Sequence, residues 1–168
     1  MKAGVIRVLC VDDNAQVVHA LKTALTSSGY AVDTATSGWE GLRQLRQGPA
    51  SFRVVVTDMR MPGMSGVQMI KQGRALGYRG PFVVCAAGLA DADRVSLSEL
   101  GVQQIIDKTS RIADLIEAVE HAAASYTPVA AEPVTPPVAS AVPLDDELTD
   151  PEPSDDDESP DFIPRRRR

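Results

Sequence analysis

The sequence predicts a doubly wound α/β fold, a parallel sheet with helices on both faces, and three observations carry that reading. Short apolar runs alternate five times with amphipathic stretches across residues 1–126. The runs are apolar at nearly every position, as in strands buried on both faces, whereas a strand with one wet face alternates. Strict strand–helix alternation implies parallel pairing through right-handed crossovers.

Val5-Ile6-Arg7-Val8-Leu9-Cys10-Val11 is the first strand, short and β-branched. The period changes over Asn14 to Ser28, where Val17, Val18, Leu21, Ala24 and Leu25 form a helical stripe that Gly29 terminates. Tyr30 to Ala35 is a second, weaker strand. Ser37-Gly38-Trp39-Glu40 has the form of a capping box, with Leu42 and Leu45 behind it, so a helix runs to Gln47 and Gly48-Pro49 stops it. Phe52 to Thr57 is a strand, Arg60-Met61-Pro62-Gly63 a loop, and Gly66 to Leu76 a helix with Val67, Ile70 and Ala75 inward. Pro81 to Ala86, Asp91 to Leu100 and Gln103 to Asp107 read as strand, helix and strand. Ser110 to Ala124 is the closing helix, with Ile112, Leu115, Ile116 and Val119 as its buried stripe.

Composition divides the chain near residue 126. Residues 1–126 carry a net charge of +1, whereas residues 127–168 carry −7 and hold 9 of the 12 prolines. The second segment runs from Pro/Ala/Val through an acidic block at 145–161 to Arg165–Arg168, with too little apolar content to offset ordering entropy. It is expected to be a disordered tail, 127–168, behind one domain, 1–126. No apolar run approaches the roughly 18 residues of a membrane span, and the N-terminus has no secretory pattern, so a cytoplasmic protein without membrane insertion is expected. Cys10 and Cys85 sit in apolar runs and read as buried structural thiols.

The acidic residues fall at particular places. Asp12-Asp13 follows the first strand and Asp58 the third, points that are neighbours on one edge of such a sheet, and Lys108 arrives there from the fifth strand. An isolated Asp pair is ordinarily a turn or a cap; its coincidence with Asp58 and Lys108 is not. Three adjacent anions repel one another unless neutralised, and a hard divalent cation such as Mg²⁺ does this through oxygen ligands. A carboxylate held beside Mg²⁺ and an ammonium is set up to attack a phosphoryl group and carry it as an acyl phosphate. Metal and lysine would stabilise charge on the transferring oxygens.

The segments Val-Leu-Cys-Val-Asp-Asp-Asn (8–14), Val-Val-Val-Thr-Asp-Met-Arg-Met-Pro-Gly-Met-Ser-Gly (54–66) and Ile-Ile-Asp-Lys (105–108) resemble the receiver domain of two-component response regulators, over roughly residues 4–124. The resemblance implies five strands in the order 2-1-3-4-5. It implies that Asp58 accepts phosphate from a sensor histidine kinase or phosphotransfer protein. Asp13 and Asp58 would bind Mg²⁺ directly with the backbone carbonyl of Arg60, Asp12 would act through metal-bound water, and Lys108 would pair with the phosphoryl group. Such a protein is not a turnover enzyme, and nothing beside Asp58 offers the second acid or base of a hydrolase.

Three positions depart from the family pattern. Ala86 stands where a Thr or Ser hydroxyl follows the phosphoryl group, Ile105 replaces an aromatic switch residue, and Thr109 follows Lys108 in place of proline. A trans Lys108–Thr109 bond is expected, because a cis bond without proline costs about 2.5–4 kcal/mol. One absent hydroxyl removes a hydrogen bond of about 0.5–1.5 kcal/mol, up to 3 with a charged acceptor, which weakens a switch without abolishing phosphorylation; the Ala87 N–H is a remaining donor. Two readings follow: a phosphoacceptor acting on an unknown protein target, or a degenerate receiver used as a phosphorylation-independent interaction module.

No helix-turn-helix pattern follows the domain, and an acidic tail disfavours nucleic acid, so a receiver without a DNA-binding output domain is expected. Phe162-Ile163 is either a docking peptide or part of a solvated tail, and Arg165–Arg168 can meet an anionic partner or the acidic block itself. Trp39 is expected to pack partly against its own helix, and Met59, Met61 and Met64 to fill the loop around the site. His19 reads as an ordinary helix residue and His121 as a complement to its helix dipole.

Overall fold

The structure, a computed structural model, describes residues 5–126; the expected tail lies outside the described residues. Five strands, β1 (Arg7–Val11), β2 (Ala31–Ala35), β3 (Val54–Asp58), β4 (Phe82–Ala86) and β5 (Gln104–Asp107), form one parallel sheet in the order β2-β1-β3-β4-β5. Helices α1 (Ala15–Ser27), α2 (Gly38–Gln47), α3 (Gly66–Ala75), α4 (Asp91–Glu99) and α5 (Ile112–Ser125) make the crossovers. The doubly wound fold and its strand order are those the sequence predicts.

Two cores result, one on each face. Leu9, Val11, Val55, Phe82 and Val84 meet α2, α3 and Leu97 of α4, while Val8, Cys10, Val54, Val56 and Val83 meet Leu21 and Leu25 of α1 and Leu115 and Val119 of α5. Every residue of β3 and β4 is buried, because these central strands are covered on both sides. β2 and β5 are only half-buried, as edge strands are.

The boundaries shift for physical reasons. Val5 is 71% exposed and precedes the ladder, so β1 begins at Arg7, and Asp58 ends β3 where the sequence placed it just beyond. Ala75 is exposed: Met69, Ile70 and Gly73 form the inward face of α3, and two residues past Gly73 the helix has turned to solvent. Gly73 belongs to that face because a Cβ there would lie 3.1 Å from the Phe82 ring. Ile112 is 46% exposed at the first turn of α5; Ala118, Ala122 and Ala123 join Leu115 and Val119 in the buried stripe.

The caps follow the sequence in part. Ser37 accepts from the Glu40 N–H as expected, but Glu40 reaches back to the Thr36 N–H at 2.8 Å. The complete capping box is at α3, where Ser65 accepts from the Gln68 N–H and Gln68 accepts from the Ser65 N–H. α4 has no side-chain cap at Ala90, and Leu97 is its one buried residue.

Candidate functional site

Asp12 is the residue after β1 and Asp58 the last of β3, each following the paired Val11 and Thr57, and Asp13 follows Asp12 into the loop before α1. Asp12 and Asp58 are buried, at 1% and 5% exposure, while Asp13 is exposed. Carboxylate oxygens of all three lie within 4.8 Å of one another. The Lys108 ammonium, one residue past β5, stands 2.9 Å from Asp12 Oδ2 and 3.0 Å from Asp58 Oδ2. The structure therefore brings together the four side chains that the sequence singled out.

The remaining oxygens are held by the backbone. Asn14 N–H donates to Asp12 Oδ1 at 2.9 Å and Met59 N–H to Asp58 Oδ1 at 2.6 Å. Asn14 also accepts from the Gln16 N–H at 2.9 Å as the N-cap of α1, so the turn that orients Asp12 starts the helix. Lys108 holds its proton more tightly than a free lysine: partial burial works against the charge, but hydrogen bonds to Asp12 and Asp58 and their charges outweigh it.

Three carboxylates against one ammonium leave a formal charge of −2 in a pocket whose donors are all hard oxygens. That set fits Mg²⁺, a small cation that keeps waters and takes one or two carboxylates. The residues fit the ion.

The loop after Asp58 is folded tightly around the site. Met59, Met61 and Met64 are buried in the core beneath it, as expected of loop packing. Gly66 N–H donates to the Met59 carbonyl at 2.9 Å, and a Cβ on Gly66 would lie 2.5 Å from the Asp58 carbonyl oxygen. Only glycine permits that approach, so this residue fixes the path of the chain past Asp58. Gly66 closes the 54–66 motif that carries the family resemblance, but nothing in the sequence alone assigns it a role at the site.

The far wall differs. Ala86 is buried at the end of β4 and carries no hydroxyl, and Ile105 is half-buried against the core of the α2–α4 face. Lys108–Thr109 is trans, since no cis peptide occurs among the described residues. Thr109 instead donates to Asp107 from its N–H at 2.8 Å and its hydroxyl at 2.7 Å, which holds the Asp107 carboxyl below its ordinary value.

Of the other residues, Cys85 borders the pocket, paired with Asp58 across β3 and β4. Cys10 and Cys85 are free and buried, as expected. Trp39 is 60% exposed and borders a groove with Leu42, Arg43 and Arg46 of its own helix, in line with partial packing there. Position 39 lies between the inward residues Gly38 and Leu42 but faces out, and Gly38 takes the place against Met64. His19 and His121 are exposed helix residues.

A doubly wound sheet with an acidic pocket at the ends of its first and third strands and a lysine from its fifth defines a module that holds a hard cation beside a carboxylate. The chain belongs to the response regulator receiver domain family, whose model matches residues 8–120. It is 31% identical over 114 residues to the transcriptional regulatory protein CpxR homolog of Haemophilus influenzae, covering 68% of this chain and 48% of that one. It is 33% identical over 114 residues to the transcriptional regulatory protein PrrA of Mycobacterium tuberculosis, with the same coverage of 68% and 48%. The chain thus spans about half the length of the curated relatives it matches. A receiver domain structure from Clostridium thermocellum superposes with a TM-score of 0.66 at 26% identity, covering 71% of this chain and 95% of that one. Receiver domains act in two-component signalling, bind Mg²⁺ at an acidic pocket and interact with histidine kinases or phosphotransfer proteins. Among the described residues no helix is long and apolar enough to cross a membrane.

Proposed function

We propose that this chain is a phosphoacceptor receiver in which Asp58 takes a phosphoryl group from a histidine kinase or phosphotransfer protein. The observation that carries the reading is the Lys108 ammonium, within 3.0 Å of both Asp58 and Asp12 in a pocket of three carboxylates. An oxygen of Asp58 attacks phosphorus, an O–P bond forms, the P–N bond of the donor phosphohistidine breaks, and its electron pair returns to the imidazole. Asp13, Asp58 and the Arg60 carbonyl would hold Mg²⁺, with Asp12 acting through a metal-bound water. When bound, Mg²⁺ supplies positive charge for the phosphoryl oxygens and cancels carboxylate repulsion.

The chain's own groups divide the remaining work. Met59 N–H fixes the Asp58 carboxylate through Oδ1. Lys108 leaves Asp58 Oδ2 for a phosphoryl oxygen, keeping a charge-assisted bond throughout. Asp12, bonded to Lys108 and to the Asn14 N–H, holds that ammonium in place.

Residues 1–126 form the receiver and 127–168 a separate acidic segment in this reading. The segment's net charge of −7 disfavours a polyanionic ligand, which supports a readout by protein–protein contact in the cytoplasm over direct contact with DNA.

The test is labelling of the full chain with acetyl phosphate. Incorporation of one phosphoryl per chain that requires Mg²⁺ and is lost in Asp58→Asn is expected. No incorporation, or incorporation unchanged in Asp58→Asn, overturns the reading. A phosphorylation-independent interaction module is favoured by Ala86 and Ile105 alone. It predicts that beryllofluoride with Mg²⁺ leaves the amide resonances of α4, β5 and α5 in place.

A further inference from the structure

Arg60 lies two residues past Asp58 in the loop after β3. Its Nη2 donates to the Gly88 carbonyl at 3.1 Å, which ties the loop after β3 to the turn between β4 and α4. Gly88 sits in the left-handed region at φ +67°, two residues past the buried Ala86, and is exposed. Behind it, α4 lacks a side-chain cap and is anchored by Leu97. The tie therefore restrains the turn into the helix with the fewest buried residues from a position two residues beyond Asp58.

We propose that the Arg60 guanidinium is the group that reads the phosphorylated state: it exchanges the Gly88 carbonyl for phosphoryl oxygens on Asp58 and so releases the turn into α4. The inference rests on Asp58 being the acceptor. A guanidinium prefers an anionic phosphoryl to a neutral carbonyl, since both partners then carry charge and the contact can be bidentate. The abandoned Gly88 carbonyl is exposed and is rehydrated, so leaving it is cheap. Ala86 offers no hydroxyl to follow the phosphoryl group, and the Lys108 ammonium is bonded to Asp12 and Asp58 and makes no side-chain tie to the turn after β4. Arg60 is the cation whose side chain makes a movable tie to the β4–α4 turn.

The experiment uses the full chain with Mg²⁺ and beryllofluoride as the phosphoryl probe, followed by ¹⁹F resonance of the bound probe and amide exchange of residues 86–97. In the wild type, saturation by the probe is expected to accelerate exchange at 88–96 several-fold. In Arg60→Ala the same amides exchange fast without the probe and do not respond to it, and the bound ¹⁹F resonance is displaced from its wild-type position. Arg60→Lys, which keeps a cation without the planar fork, is expected to respond partially. An Arg60→Ala protein whose exchange still responds as in the wild type, or whose bound ¹⁹F resonance is unmoved, overturns the proposal. Wild-type binding of the probe with no change at 88–96 removes the latch and leaves the acceptor reading standing, whereas no binding at all removes both.

Discussion

The two sides of the pocket are built to different standards. On the β1–β3 side each carboxylate that enters the core has a partner on both oxygens: Lys108 and Asn14 for Asp12, Lys108 and Met59 for Asp58. On the β4–β5 side the wall is Ala86 and Ile105, followed by an uncapped helix with one buried residue. Buried charge demands complete satisfaction, whereas a wall that only has to exclude water and move does not. In the proposed reading, the difference separates the part of the domain that would accept the phosphoryl group from the part that would report it.

The most direct way to break this contrast is to remove the cation the two sides share. Lys108→Ala is expected to slow Mg²⁺-dependent labelling of Asp58 by about 10²–10³-fold, the usual cost of losing one donor to developing charge. Acetyl-phosphate kinetics would show it, and a rate within a factor of about two of wild type would place the catalytic charge elsewhere. Next in size is the anchor of the mobile side. Leu97→Ala is expected to cost about 2–3 kcal/mol in urea unfolding, the lower end for a buried leucine because α4 can settle into the gap. Amide exchange should localise the loss to α4; a loss spread evenly over the sheet would mean that the helix is as firmly held as the rest.

Supplying what the far wall lacks gives a smaller effect. Ala86→Thr adds a hydroxyl to the end of β4, and one added hydrogen bond to the phosphoryl group is worth about 0.5–1.5 kcal/mol, a change of about 2- to 12-fold in the ratio of shifted to unshifted α4 in the phosphorylated protein. Amide shifts of α4 under beryllofluoride measure that ratio.

The smallest effect is on alkaline stability. Burial, with the nearby Cys85 thiol adding to it, raises Cys10 to about 12 from an ordinary 9.0. Burial likewise raises Cys85 to about 12, with Lys108 opposing and Asp12 and Asp58 adding. Both thiols keep their protons longer in the folded chain than in the unfolded one. Their contribution is therefore complete below pH 9.0 and is lost as the pH climbs through that value toward about 12. The urea midpoint should fall between about pH 8 and about pH 10, and less so in a Cys10→Ala, Cys85→Ala protein.

The same contrast explains what could be read from the sequence. The strands and the four charged residues of the pocket were legible, because burial on two faces writes a continuous apolar run and each carboxylate closes such a run; the strand order came from the family resemblance. Helix faces were legible where side chains mark them and illegible where small residues do. Gly73 of α3 and Ala118, Ala122 and Ala123 of α5 are buried by close approach, while Ala75 and Ile112, equally apolar, are turned outward. The role of Gly66 and the Arg60–Gly88 tie went unseen because both depend on how the loops return, and no periodicity encodes that.

Trp39, mostly in water and beside Gly63, is the chain's single tryptophan. The domain thus carries its own optical gauge, an indole on the rim of the loop that leads away from Asp58. Its emission should sit near that of a hydrated indole and report movement of that loop without any added label.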